Sequence, residues 1–334
     1  MPLIRPSGSP TSADTPMHIA LVTPAPAGSR SGNRATANRW ARLLRGLGHR
    51  VDVLVEYRGE SPDLLIALHA WRSATAIRAF AELHPDTPLV VVLTGTDAYR
   101  FIHTDPQETL ASLVLADRIV GLHALISETI PPDQRHKLRV IYQSARPLAE
   151  RRPPKRIFRV CVAGHLREEK DPLRAALAVR ELPPSSRLQV DAYGKAHTPE
   201  WAAAAEAEAA QNPRYRWHSE IGHARLRQIY RRSQLLVLSS RMEGGANVVS
   251  EAVVAGLPVI ASEIPGSVGL LGTAYPGYYP VEDTSALREL LLRAESDKSF
   301  YDQLQKACDA RRALFTEQQE QQGWMRLLTE LKPS

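Results

Sequence analysis

The sequence predicts an α/β protein with two doubly wound domains, each built on a parallel sheet that helices cover. Short apolar runs alternate with helical segments, which is the pattern of βαβ units. A charged stretch with several prolines at residues 144–156 interrupts the alternation, which then starts again. A chain of 334 residues is long enough for two such domains.

The first Rossmann-like domain is predicted at residues 17–150, after a disordered tail at residues 1–16 that lacks the apolar segment of a signal peptide. Its first strand, residues 18–23, leads through a loop into a helix over residues 34–47. Further strands are predicted at residues 51–55, 64–68, 89–93, 118–120 and 139–141.

The second domain is predicted at residues 157–310. Its strands cover residues 157–163, 188–192, 235–238 and 259–261, and a helix starts at Pro172. Residues 284–331 have the spacing of helices alone. We therefore expect a final helix, within residues 311–334, to pack back on the first domain.

The composition of the chain argues against a membrane-spanning protein and against a nucleic-acid-binding protein. The chain lacks an apolar run long enough to span a membrane, and it lacks the dense basic run of a nucleic-acid-binding protein, although its net charge is +6. Cys161 and Cys308 lie far apart and suit a reducing cytoplasm. An Asp-x-Asp pair is missing, so we expect a site without a metal.

The loop after the first strand carries two glycines and two arginines. Ligands of open α/β sheets bind at such strand ends, so we predict ligand contacts here. The alternative is a turn that serves folding only, and the spacing does not match the Gly-x-Gly-x-x-Gly of dinucleotide folds. The predicted contacts are Gly28, Arg30, Gly32, Asn33 and Arg34.

A second loop, residues 164–172, follows the first strand of the second domain. It places His165, Arg167 and Lys170 near a predicted helix start, where cations and amides together suit a diphosphate. The alternative is a solvated turn in which neighbouring glutamates offset the cations.

Residues 239–251 hold the motif Glu-x7-Glu between two apolar strands. Glu243 lies in a glycine loop, and Glu251 lies one turn into a helix that we expect to start near Asn247. Glu251 can accept hydrogen bonds from the two hydroxyls of a ribose, and amides of the loop can hold an anion. Those amides belong to Gly244, Gly245, Ala246, Asn247 and Val248.

Residues 94–97 end another strand. Thr94 is a candidate ligand contact, and Asp97 is a base, a hydroxyl acceptor or the cap of the next helix. His69, at the end of its own strand, is either a packing residue or part of the site.

The second and third loops resemble those of GT-B glycosyltransferases of family 4. Gly164, Leu166 and Lys170 match the family's diphosphate segment, although His165 stands where the family has an arginine, and Arg167 is then expected to replace it. The resemblance implies a UDP-sugar co-substrate without a cofactor, with Glu243 on the sugar and Glu251 on the ribose. It places the catalytic groups at Glu243, Lys170 and Arg167.

A narrower resemblance covers residues 23–34, 67–70, 94–97, 164–172 and 241–247, which are similar to those of family members that use selenophosphate as acceptor. It implies transfer from UDP-N-acetylglucosamine, or UDP-glucose, to selenium. Three alternatives stay open: a conventional hydroxyl acceptor, a UDP-sugar epimerase, and a sensor that binds UDP without turnover.

Overall fold

The computed structural model describes residues 16–331, so nearly all of the predicted N-terminal tail lies outside the described residues. Within residues 16–331 the chain forms two parallel sheets, each of six strands. The predicted α/β class with two doubly wound domains is confirmed.

The first sheet has the strand order β2-β1-β3-β4-β5-β6. Its strands are β1 His18–Val22, β2 Arg50–Leu54, β3 Leu64–Leu68, β4 Leu89–Val92, β5 Arg118–Gly121 and β6 Leu138–Val140. The α-helices beside it are α1 Gly32–Gly46, α2 Ala74–Leu83, α3 Ile102–Thr104 and α4 Pro106–Leu115. A π-helical turn spans Asp97–Phe101, and two 3-10 helices span Ala124–Thr129 and Pro132–Lys137.

The second sheet has the order β12-β11-β10-β7-β8-β9. Its strands are β7 Phe158–Ala163, β8 Leu188–Tyr193, β9 Tyr215–Trp217, β10 Leu235–Leu238, β11 Val259–Ser262 and β12 Tyr278–Tyr279. Its helices are α5 Arg174–Ala178, α6 Pro199–Gln211, α7 His223–Arg231, α8 Asn247–Val254, α9 Pro265–Leu271, α10 Thr284–Ser296 and α11 Lys298–Arg311.

Both sheets have a topological switch point, where successive connections leave in opposite directions. In the first sheet β1 lies beside β3, and in the second β7 lies beside β10. Loops at the carboxyl ends of such strand pairs form a crevice that suits ligands. The loops after β1, β3, β7 and β10 therefore define where a site belongs.

The chain returns to the first domain through its last helix, α12 Glu317–Glu330, which a 3-10 helix at Arg312–Phe315 precedes. The Trp324 ring meets the Trp40 ring edge to face at 4.8 Å, and both side chains are fully buried. Aromatic pairs of this geometry add to the apolar burial. The predicted return of the C-terminal helix is confirmed.

One element differs from its prediction. The helix expected at Pro172 begins instead at Arg174, after a short 3-10 helix at Glu168–Lys170. Asp171 ends that turn with φ of 43°, in the left-handed region, which stops a helix from running on continuously. The helix α5 is only five residues long, so Lys170 does not have a long helix behind it.

Candidate functional site at the domain cleft

The loops after β7 and β10 meet at the switch point of the second sheet. The Lys170 ammonium donates a hydrogen bond to Oε1 of Glu243, and Ser240 Oγ donates to the same oxygen at 2.6 Å. The Arg241 amide also donates to the Glu169 carbonyl at 2.8 Å. The structure thus joins two motifs that lie far apart in the sequence, and it brings two predicted catalytic residues into contact.

Glu251 lies on α8, which begins at Asn247 as the sequence predicts. Its Oε1 accepts from His223 Nε2 at 2.9 Å and its Oε2 accepts from the Tyr230 hydroxyl at 3.1 Å. The hydrogen bond to Glu251 raises the pKa of His223 above its usual value, against the opposing effect of burial. The buried Tyr230 hydroxyl holds one oxygen of the carboxylate. His223, which holds the other oxygen, is exposed, so a ligand can displace it.

The glycines at 244 and 245 allow the two domains to touch. A Cβ on Gly244 would lie 2.2 Å from the Thr94 carbonyl carbon, and one on Gly245 would lie 2.4 Å from Leu122 Cβ. Gly245 also has φ of 152°, which other residues rarely adopt. Only glycine therefore fits this approach, which continues into Ala246, Asn247 and Val248 at the start of α8.

His165 and Arg167 lie on the same loop as Lys170. His165 Nδ1 accepts from the Lys195 amide at 3.2 Å, and its Nε2 is 3.9 Å from Glu220. Burial lowers the pKa of His165, which keeps the ring mostly neutral near pH 7. Arg167 Nε is buried, lacks a hydrogen-bond partner among the described residues and lies 3.8 Å from Glu169.

The loop after β1 forms the opposite wall. Gly28 has φ of 82°, and Ser31 caps α1, whose first turn contains Gly32 and Asn33. Arg30 reaches across the cleft to Glu220 at 3.6 Å with a half-exposed side chain. Arg34 Nε is buried and makes no hydrogen bond within residues 16–331. The loop therefore supplies cations, although Glu220 offsets part of the Arg30 charge.

Asp97 has a different position from the one expected. Its fully buried carboxylate accepts from the amides of Thr94 at 2.9 Å, Gly95 at 2.8 Å and Ala70 at 2.9 Å. Such a carboxylate has few acceptor sites left for a ligand. Asp97 neither caps a helix by its side chain nor faces the cleft; it holds the loops after β3 and β4 together and so positions Thr94.

His69 lies beside Asp97 with φ of 76°, a strained conformation for a residue other than glycine. Its Nδ1 accepts the Arg72 amide at 3.2 Å, so the neutral ring carries its proton on Nε2, which donates to Thr96 Oγ1 at 2.9 Å. Burial lowers the pKa of His69 in spite of the Asp97 charge. The strained loop places the residues after His69 at the switch point of the first sheet.

Several contacts of the cleft were not predicted. Arg100 Nη1 donates to Glu169 Oε1 at 3.1 Å, which links the π-helical turn of the first domain to the loop at residues 164–172. Arg39 Nη1, on α1, donates to Asn247 Oδ1 at 2.9 Å, at the first residue of α8. Neither arginine could be recognised from a sequence pattern, because the residue that it contacts lies in the other domain.

Within residues 16–331, no group of three or more histidine, cysteine or acidic side chains is arranged to hold a metal ion. In the same part of the chain, no helix is both long and apolar enough to cross a membrane.

Comparisons with known proteins agree with this fold. Residues 149–311 match the family described as glycosyl transferases group 1. HepE of Anabaena, solved with UDP and glucose, has a TM-score of 0.75 and 15% identity, over 94% of this chain and 100% of that one. No curated protein sequence matches the chain.

Two further solved structures are similar. Sucrose-phosphate synthase of Thermosynechococcus elongatus has a TM-score of 0.72 and 18% identity, over 94% of this chain and 98% of its own. A glycosyltransferase of Rickettsia africae has a TM-score of 0.71 and 13% identity, over 96% and 100%. At these identities the likeness establishes the fold.

The two facing sheets, the cleft and the returning helix define a protein with the GT-B fold of glycosyltransferases. Its segment 149–311, which contains Lys170, Glu243 and Glu251, matches the family model of glycosyl transferases group 1.

Proposed function

We propose that the protein is a glycosyltransferase that moves a sugar from a UDP-sugar to selenophosphate. The observation that carries the donor half is the contact of Lys170 with Glu243 at the switch point, in the loop that leads into the helix α8 and Glu251. All three residues lie inside the matched segment. HepE, with the same fold, was solved with UDP and with UDP-glucose, which supports this class of donor.

In this proposal the ribose, the diphosphate and the sugar of the UDP-sugar each contact a different set of residues. Glu251 accepts the ribose hydroxyls after His223 moves away, while Tyr230 keeps the carboxylate in place. Amides at the start of α8 and the cations Lys170 and Arg167 hold the diphosphate. These cations offset the charge of the leaving UDP without a metal. Glu243 contacts the sugar.

Selenophosphate as acceptor is supported by the motifs at 23–34, 67–70, 94–97, 164–172 and 241–247, which are similar to those of the selenosugar synthase of selenoneine biosynthesis. That enzyme resemblance suggests N-acetylglucosamine as the sugar, with glucose as a second choice. The two free, buried cysteines suit a reaction in a reducing cytoplasm.

The geometry supports an acceptor that needs no general base. The Nε2 proton of His69 is directed at Thr96, and the Asp97 carboxylate is occupied by loop amides. A sugar hydroxyl needs a group that removes its proton during attack. The selenium of selenophosphate is already a strong anionic nucleophile. Because the hydrogen bonds of His69 and Asp97 leave neither residue free to act as a base, the site favours selenophosphate over a hydroxyl acceptor.

The reaction balances in two steps. A selenium lone pair forms a bond to the anomeric carbon, the bond from that carbon to the UDP oxygen breaks, and UDP leaves with the electron pair. Water then cleaves the selenium–phosphorus bond, which gives inorganic phosphate and a 1-seleno sugar.

The proposal is tested by incubating purified protein with UDP-N-acetylglucosamine and measuring UDP release with and without selenophosphate. We expect release that depends on selenophosphate and that an excess of a polyol does not inhibit. A folded protein that releases no UDP contradicts the proposal. Transfer to the polyol instead identifies a conventional acceptor, and conversion of the UDP-sugar without any acceptor identifies an epimerase.

A further inference from the structure

An aromatic pair and an arginine occupy the switch point of the first sheet. The rings of Trp71 and Phe101 are stacked at 3.9 Å with an interplanar angle of 7°. The Arg72 guanidinium lies 6.0 Å from the centroid of each ring. The cation is thus held near two ring faces at a distance where cation–π attraction still acts.

The Arg72 side chain is exposed, and within residues 16–331 it has no carboxylate in salt-bridge distance. An exposed cation gains little from such a position by itself, and ordinary surface arginines tend to find a partner or extend into solvent. Here the rings hold it over the cleft beside the strained residue His69. A fixed cation without an acidic partner is suited to an anionic ligand.

A chain of contacts places Arg72 opposite the diphosphate loop. Arg100 precedes Phe101 in the π-helical turn, and its guanidinium donates a hydrogen bond to Glu169 at 3.1 Å. Glu169 in turn lies 3.8 Å from Arg167. The charges of Arg72 and Arg167 both act on His69 and also on His197 of the second domain, and in both rings they add to the pKa-lowering effect of burial. Arg72 and Arg167 therefore face one space from opposite domains.

Glu169 is a mostly buried carboxylate beside this space, and its charge is offset. Arg100 donates a hydrogen bond to it. Burial would raise the pKa of Glu169, but a backbone hydrogen bond and then the cations Arg167, Arg100 and Lys170 hold that pKa low. Near this space the carboxylates of Glu169 and Asp97 are thus outnumbered by the cations Arg72, Arg100, Arg167 and Lys170. The space keeps an excess of positive charge that an incoming anion can neutralise.

We infer that Arg72, held by Trp71 and Phe101, binds the phosphate group of the acceptor and determines that the acceptor is an anion. The inference deepens the proposed function and rests on it for the donor side. Arg72 is a specificity-determining contact, across the cleft from Arg167, and it acts in addition to the predicted loop at Arg30. The planar guanidinium can make paired hydrogen bonds to phosphate oxygens, which an ammonium cannot.

The test uses inorganic thiophosphate, a stable analogue of selenophosphate, in calorimetric titrations of the protein saturated with UDP. Arg72→Ala should weaken thiophosphate binding on the order of tenfold or more, as loss of a charged hydrogen bond does. Arg72→Lys should restore part of it. Arg78→Ala is the matched control, because Arg78 is an exposed arginine of the same domain that pairs with Glu108 on the helix surface; its binding should equal that of the wild type.

Titration of UDP alone separates the two proposals. Equal UDP affinity in all variants with weaker thiophosphate binding in Arg72→Ala supports the inference. Unchanged thiophosphate binding in Arg72→Ala overturns it, as does a wild-type protein that binds UDP but not thiophosphate, while the donor side stands. A folded wild type that binds no UDP overturns the proposed function itself.

Discussion

The Lys170 ammonium donates a hydrogen bond to the Glu243 carboxylate, although the two residues belong to loops that follow different strands. Both side chains are mostly buried, so each charge depends on the other. In the proposed function an entering UDP-sugar replaces this contact, so that Lys170 contacts the diphosphate and Glu243 contacts the sugar. The pair therefore prepares a cation and an acceptor at the place where the donor's reacting bond is proposed to lie.

Replacement of Lys170 tests this arrangement. Lys170→Ala should lower kcat/KM by about 10²–10³-fold, because the charge that develops on UDP loses its cation. Steady-state rates of UDP release give the measurement. Lys298→Ala is the control, since Lys298 forms an exposed pair on the distant helix α11 and should leave the rate unchanged. Full activity in Lys170→Ala would show that the donor lies elsewhere.

Glu251 is expected to bind the ribose. Glu251→Ala should weaken UDP binding by about 1–3 kcal/mol, since two hydroxyl hydrogen bonds are lost. The same variant should bind 2′,3′-dideoxy-UDP as well as the wild type does. Tyr230→Phe keeps the carboxylate but removes the hydrogen bond that positions it, so UDP affinity should fall, by less than in Glu251→Ala. A Glu251→Ala protein that still prefers UDP over the dideoxy compound would contradict the assignment.

The contact of His223 with Glu251 predicts a pH dependence of UDP binding. The carboxylate raises the pKa of His223 above 6.5, so the imidazolium is favoured while the pair is intact. Ribose displaces His223 and lowers that pKa, so binding releases a proton and the affinity for UDP should rise as the pH increases through the raised pKa.

Calorimetry of wild type and His223→Gln over the same pH range measures this effect. The glutamine variant keeps only the dependence that comes from ionisation of UDP itself. Identical slopes for the two proteins would show that His223 does not compete with the ribose.

The C-terminal helix is anchored by a buried carboxylate. Glu320 Oε1 accepts from Trp40 Nε1 at 2.7 Å and from Arg39 Nε at 3.2 Å, and its Oε2 accepts from the Ser144 amide at 3.1 Å. Glu320→Ala leaves these donors unpaired and should cost about 3–5 kcal/mol in the free energy of unfolding of the first domain.

Urea unfolding monitored by tryptophan fluorescence measures that loss. Glu317→Ala, on the same helix, removes an exposed carboxylate 3.7 Å from Arg42 and should cost under about 1 kcal/mol. Equal midpoints for the two variants would contradict the anchoring role.

The fold could be predicted from the sequence because its strands are apolar runs that clear breaks separate. It did not reveal β9, Tyr215–Trp217, or β12, Tyr278–Tyr279, since runs of three and two residues are too short for periodicity. The start of α5 was placed too early because the left-handed conformation of Asp171 is not visible in residue types.

The candidate site divides in the same way. Lys170, Glu243 and Glu251 belong to two short motifs whose spacing can be read along the sequence, so they could be predicted. Asp97 was expected at the ligand, but its burial beneath two loops depends on the pairing of β3 with β4. Arg72 and Arg100 were missed because their role depends on the approach of the second domain.

The most direct measurement of the central claim uses UDP-N-acetylglucosamine labelled with ¹³C at the anomeric carbon, together with selenophosphate. The product should show a one-bond ⁷⁷Se–¹³C coupling in its nuclear magnetic resonance spectrum, with one UDP released for each seleno sugar formed. Labelled sugar that is recovered unreacted, as free N-acetylglucosamine or bound through oxygen, would contradict the claim.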